Sequence, residues 1–270
     1  MWSPARVRGL LSVTLGPVDA VELGWPLAAL LVLLAVTAAA VVRVAELGSW
    51  RTPLTATARA VVQLSAVSLV IVFVLRSMGW TLAFVALMVL VAAFTACRRV
   101  SGAWGTPVVW VCAAVLAGVV PAVGLALATT VVPFEPIAVL PVAGILVGGA
   151  MTATALAGKR TAEELETQRG AYEAALGLGL SRRQAVGVVA RPAAALALVP
   201  GQDQTRTVGL VTLPGAFVGV LLAGASPVEA GAAQVLVLVA LLAVQSIAAA
   251  LTVELIAAGR IPVAGRPLTA

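Results

Sequence analysis

The stretch from Lys159 to Pro200 reads KRTAEELETQRGAYEAALGLGLSRRQAVGVVARPAAALALVP. It is the longest segment between two apolar stretches that carries charge throughout. Thr161 followed by Glu164, and Ser181 followed by Gln184, have the spacing of capping boxes. In such a box a hydroxyl accepts from the N–H three residues on, and that residue's side chain reaches back. Gly177 and Gly179 stand where the first helix would end, and glycine suits the left-handed conformation of a helix C-terminus. The pattern predicts a helix over about 162–177, a glycine turn, and a helix over about 182–191, with Pro192 and Pro200 as later punctuation. Along the first helix Glu163, Glu166, Gln168 and Arg169 mix with Leu165, Tyr172 and Leu176. These residues alone allow an amphipathic helix lying on a membrane surface.

The flanks are far more apolar. The chain has 270 residues, 61% hydrophobic and 10% charged, with a mean hydropathy of +1.11. Soluble domains carry about 25% charged residues, and a soluble chain of this length could not hide so much apolar surface. The sequence therefore predicts an all-α integral membrane protein with a single transmembrane domain over 1–270. Stretches of about 20 apolar residues can cross a bilayer. Seven are expected, at about 25–43, 59–76, 80–97, 107–128, 136–157, 206–224 and 232–256, with 158–200 as an extramembrane loop.

Lys and Arg favour cytoplasmic loops. Arg43, Arg51, Arg59, Arg98, Arg99, Lys159, Arg160, Arg169, Arg182, Arg183, Arg191, Arg260 and Arg266 fall in one set of connections; Arg6, Arg8 and Arg76 fall in the other. The bias of 13 to 3, with Arg206 unassigned at a span entrance, predicts an outer N-terminus, a cytoplasmic C-terminus and a cytoplasmic 158–200 loop, in a multi-pass cell-membrane protein. The net charge of +6 is explained by this topology, so the bilayer, and no nucleic acid, is the expected partner. The short broken apolar run from Leu10 to Val18 does not read as a cleaved signal peptide. Cys97 and Cys112 lie in or near spans without CxxC spacing, so neither a zinc site nor a disulfide framework is indicated.

Polar groups at membrane depth are rare and usually functional. Arg59 and Gln63, four apart at the start of the second span, share a helix face; lipid phosphate, a neighbouring helix, substrate, or simple snorkelling of Arg59 all fit. Asp203 and Arg206, with Gln202 and Gln204, open the sixth span either as a structural cap with its ion pair or as an inner gate. Met151, Thr152 and Thr154 in the fifth span could touch a soft cation or serve packing. Pro214 predicts a kink within the sixth span. The GxxxG pairs Gly144/Gly148 and Gly215/Gly219 suit close helix approach, in ordinary packing or along a gate. No metal ligand set is evident. There is no His for acid–base work. Gly158-Lys159-Arg160-Thr161 fails as a phosphate loop, because Ala153 stands where the first glycine belongs and Arg160 separates Lys from Thr. No catalysis, no nucleotide site and no bound cofactor are expected of this chain.

Glu173-Ala174-Ala175, then Gly179, Val189, Arg191 and Pro192, have the spacing of the EAA loop of ABC-transporter permeases, with Arg191 where that loop usually has Leu. The chain more broadly resembles the FetB-like family of ABC permeases, associated with iron export in bacteria and aluminium tolerance in plants. The likeness spans about 25–262. It rests on Arg59-x-x-x-Gln63-Leu64, on Gly144 to Leu156 with Met151-x-Ala153-Thr154, on Glu173-Ala174-Ala175-Leu176, and on Val208-Gly209-Leu210-Val211-x-Leu213-Pro214-Gly215, continuing through Gly219 to Gln234. The resemblance implies a permease subunit present as two copies, paired with two separate cytoplasmic ATPases that bind ATP and Mg. It implies that Glu173, Ala174, Ala175, Gly179, Ser181, Arg182 and Arg183 couple to that ATPase. There are departures: the family usually has Asn at Gly149, Asn-Ser at Asp203-Gln204, Met at Ala216 and Gln at Val220. These leave substrate and transport direction open. The alternative class is an ion-gradient carrier or a non-transporting interaction protein. A carrier calls for ionisable residues near mid-span, and spans one, three, four and five have none near their centres.

Overall fold

The computed structural model describes residues 24–102 and 107–262. The sequence readings on Arg6, Arg8, Leu10–Val18 and Arg266 lie outside these residues. The chain divides into two compact units, 1–71 and 72–270. Among the described residues seven helical stretches are long and apolar enough to cross a membrane.

The first unit holds α1 (Trp25–Val44) and most of α2 (Arg51–Val74). Pro26 sits in the first turn of α1, where its missing N–H costs no hydrogen bond. Both helices leave large apolar side chains exposed, among them Leu33, Val62 and Leu69, as suits contact with lipid. α2 starts eight residues before the expected 59–76 span, so Arg59 and Gln63 stand well inside the helix rather than at its entrance.

The second unit holds α3 (Met78–Ser101), α4 (Pro107–Ala128), α5 (Pro136–Thr167), α6 (Arg169–Gly177), α7 (Arg182–Ala195), a 3₁₀ turn (Leu196–Leu198), α8 (Val199–Thr207), α9 (Gly215–Leu222) and α10 (Pro227–Ala257). Its centre is α10. Ala230, Gln234, Val237, Leu241, Val244, Ala248 and Thr252 recur every three or four residues along one buried stripe, the spacing that puts side chains on one helix face. That stripe packs on α5 and α4, and α3 closes the layer against both. At Gly118 of α4 the two backbones come close: a Cβ would stand 2.9 Å from the backbone oxygen of Val244.

Two sequence expectations are corrected. The first concerns the start of the 158–200 loop. Thr161 does not cap a new helix: α5 runs without a break to Thr167, and Thr161 is fully buried within it. The reason is the buried stripe of α5, which continues at helical spacing through Ala150, Thr154, Ala157, Thr161 and Leu165. Lys159 and Arg160 both reach Glu163, pairs that suit an exposed helix face.

The second correction is the span expected at 206–224. α8 ends at Thr207, and the chain turns through Gly209, whose φ is +81°. The Thr207 carbonyl accepts from the N–H groups of Leu210 and Val211, and Gly209 N–H donates to the Thr212 carbonyl, so the loop satisfies its own backbone. α9 then has only eight residues, a rise of about 12 Å against a hydrocarbon core of about 30 Å. Pro214 does not kink a span; it is the N-cap of α9. The sixth stretch able to cross is instead Arg182–Thr207. Within it Pro192 is accommodated inside α7, and the 3₁₀ turn follows four residues later.

Candidate functional site

The α6–α7 pair forms around one turn. α6 separates from α5 at Gln168, whose φ and ψ of −104° and 36° leave the helical region. It ends in a Schellman motif: Gly179 N–H donates to Leu176 O at 2.9 Å and Leu180 N–H to Ala175 O at 3.1 Å. Gly179 takes φ +86°, a conformation that side-chain-bearing residues rarely adopt. Ser181 then caps α7 as expected. Its N–H donates to Gln184 Oε1 at 2.9 Å, and the Gln184 N–H donates to Ser181 Oγ at 3.4 Å.

This geometry sorts the residues by face. Tyr172 points into the core, and Ala175 and Leu176 pack partly against it. Glu173, Ala174, Gly179 and Ser181 are exposed. Leu178 at the turn tip is 82% exposed and Val188 of α7 is 67% exposed. Arg169 Nε donates to Glu173 Oε1 at 2.7 Å, one helical turn away. That hydrogen bond, then the charge of Glu173, raises the Arg169 pKa above its ordinary value against a lesser desolvation effect. Ala185, Val186, Val189, Ala190 and Ala194 bury the other side of α7. An open cleft of about 730 Å³ runs along the exposed side, lined by Leu180, Ser181, Gln184 and Val188 among others.

Arg182 and Arg183 do not join the Glu173 face. Arg182 is half-buried, with Nη1 3.3 Å from where a Cβ would stand on Gly259, just past α10. Arg183 Nε donates to Glu254 Oε2 near the end of α10.

The other expected site residues are dispersed. Asp203 and Arg206 do pair, at 3.5 Å and three residues apart. Both are exposed, and Asp203 lies within α8 rather than capping it. Arg59 and Gln63 are exposed in the first unit. Met151 is half-buried between two core clusters. Thr152 is exposed and donates back to the Gly148 carbonyl at 3.0 Å. Thr154 is fully buried, and its hydroxyl has no hydrogen-bond partner among the described residues. Of the GxxxG glycines, Gly144 faces Met88, while Gly148, Gly215 and Gly219 meet nothing within 4 Å. Among the described residues no group of three or more His, Cys, Asp or Glu stands together.

Residues 25–259 match the family described as Uncharacterised protein family (UPF0014). The chain belongs to the UPF0014 family. UPF0014 membrane protein STAR2 of Oryza sativa subsp. japonica is 38% identical over 203 residues, 74% of this chain and 70% of the relative. Protein ALUMINUM SENSITIVE 3 of Arabidopsis thaliana is 36% identical over 183 residues, 67% of this chain and 66% of the relative. The Probable iron export permease protein FetB of Escherichia coli (strain K12) is 34% identical over 116 residues, 43% of this chain and 45% of the relative. No solved structure matches. The resemblance read from the sequence is thereby upheld, as is a multi-pass helical membrane protein.

Three polar side chains of this UPF0014 chain escaped the bottom-up sequence reading, and all lie on α10. Gln234 is buried and its Oε1 accepts from the N–H of Phe217 at 3.2 Å. That N–H is in the first turn of α9, where no intrahelical partner exists and Pro214 provides no side-chain cap. Gln245 is also buried, facing Gly149 of α5 and Gly201 of α8, where a Cβ on either glycine would be in contact with or overlap its amide. Glu254 accepts from both Arg183 and Arg191. The available signal was simply that each is a long polar side chain in the apolar run of the last span.

Proposed function

We propose that this chain is the membrane-spanning permease subunit of an ABC transporter, working as a pair of copies with a separate cytoplasmic ATPase that supplies the energy. The observation that carries the reading is the α6–α7 pair. Glu173 and Ala174 stand outward on a short helix, a Schellman turn fixes Gly179, and a capping box starts α7. A docking element needs a rigid exposed face, and both ends of this turn are hydrogen-bonded into one geometry. Leu178 and Val188 add exposed apolar surface beside it, the kind of patch that marks a protein contact.

On this reading α6, the turn at Gly179 and the start of α7 face the cytoplasm and the N-terminus lies outside, in line with the Lys and Arg bias. The cargo is a metal ion, moved outward, with iron as the first candidate because the E. coli relative carries that activity in its name. The chain itself contributes no chemistry and holds no nucleotide; ATP and Mg bind the partner.

One labelling experiment tests docking and sidedness together. Leu178→Cys is introduced after Cys97 and Cys112 are replaced by Ser, and an impermeant thiol reagent is applied. The reagent should label inside-out membranes and not intact cells, and added ATPase should shield the site. Labelling from outside the cell, or labelling indifferent to the ATPase, would contradict the proposal.

A further inference from the structure

Arg191 stands where the resembling loops carry an apolar residue, and its side chain has a built destination. The guanidinium lies over Gly187, 3.4 Å from where a Cβ would stand. Its Nη2 donates to Glu254 Oε1 at 2.6 Å. The second carboxylate oxygen accepts from Arg183 Nε, eight residues earlier on α7. One carboxylate near the end of α10 therefore holds two points of α7 just over two helical turns apart. Two anchors on one helix fix its rotation and its tilt, which a single ion pair cannot do. Arg191 and Glu254 also border a groove of about 350 Å³ between α7 and α10, with Ala195, Leu198, Ser246 and Val253 along it. The groove leaves room for the two helices to shift against each other about the clamp.

We propose that Glu254 is the positioning residue through which movement of the α6–α7 pair reaches α10. This rests on the docking reading above. When the ATPase changes shape, α7 is pulled or rotated, and the two arginines carry that displacement to the end of the helix at the centre of the second unit. Ion pairs suit this role better than buried apolar packing, because their partners can lengthen or exchange without opening a cavity.

The test uses the full-length permease with its ATPase in liposomes and reads hydrogen exchange in 250–257. ATPase binding should slow exchange there by at least roughly fivefold, the lower end of allosteric coupling. In Glu254→Gln the ATPase should still co-purify, but the slowing should vanish. In an Arg183→Gln background, Arg191→Glu combined with Glu254→Arg puts back one of the two anchors and should restore part of it, which a merely structural defect would not do. Equal slowing in wild type and Glu254→Gln, or no rescue by the reversed pair, would overturn the proposal. If the wild-type chains do not associate at all, the docking reading fails. Exchange of 182–195 in the free permease then shows on its own whether Glu254→Gln loosens α7 and the reversed pair tightens it.

Discussion

The two ends of α10 hold neighbouring segments by opposite means. Toward its start, the buried amide of Gln234 accepts one backbone N–H of α9. Near its end, Glu254 keeps 27% of its side chain exposed and accepts from two arginines. The difference follows from where each end lies. A charge buried without water pays a large desolvation penalty unless it is fully paired, whereas a neutral amide pays far less. So the enclosed contact uses a neutral amide and the open contact uses charges. The neutral contact gives α9 one fixed position. The charged contact can be strained, screened or remade.

Between these ends α10 has a rigid middle, where the largest effect is expected. Gly118 sits against the Val244 backbone, between the two ends, and neither side can yield there by turning a side chain. Gly118→Val should separate α4 from α10 and cost roughly 3 kcal/mol, the upper range for overpacking a core. Thermal unfolding in detergent would measure it. An unchanged melting temperature would mean that the helices tolerate separation, and that the two ends are not joined by a stiff rod.

The smallest effect sharpens the contrast between the ends. Exposed ion pairs contribute only about 0.2–1 kcal/mol and weaken as salt screens them. Raising salt to about 1 M should speed hydrogen exchange in α7 while leaving α9 unchanged. A change in α9 alone would reverse the assignment of fixed and adjustable ends.

The parts legible in the sequence were those governed by near neighbours. The Ser181–Gln184 box and the turn at Gly179 are decided within about five residues, and both stand as expected. Thr161 and Glu164 had the same spacing but failed, because three residues also separate neighbours on one helix face. Only the buried stripe through Thr154 and Leu165 decides between these readings. The 206–224 span failed for another reason. Hydropathy counts Leu210, Val211 and Leu213 as membrane-spanning material, but it does not register that the carbonyl of Thr207 closes a loop around them. The clamp was hidden by distance: Arg191 and Glu254 are 63 residues apart, and nothing local to either names the other.

The central claim is that the α6–α7 turn is the platform on which a separate ATPase docks. The most direct measurement is co-purification of that ATPase with the wild-type permease and with Gly179→Val. Valine is β-branched and strongly disfavours the positive φ held at this position. Nothing lies within 4 Å of a Cβ there, so the substitution strains the turn without disturbing the core. The account predicts that Gly179→Val reaches the membrane at the wild-type level, keeps its melting temperature within a few degrees, and loses the ATPase. Full retention of the ATPase by Gly179→Val would show that this turn is an ordinary surface feature and that the ATPase binds elsewhere.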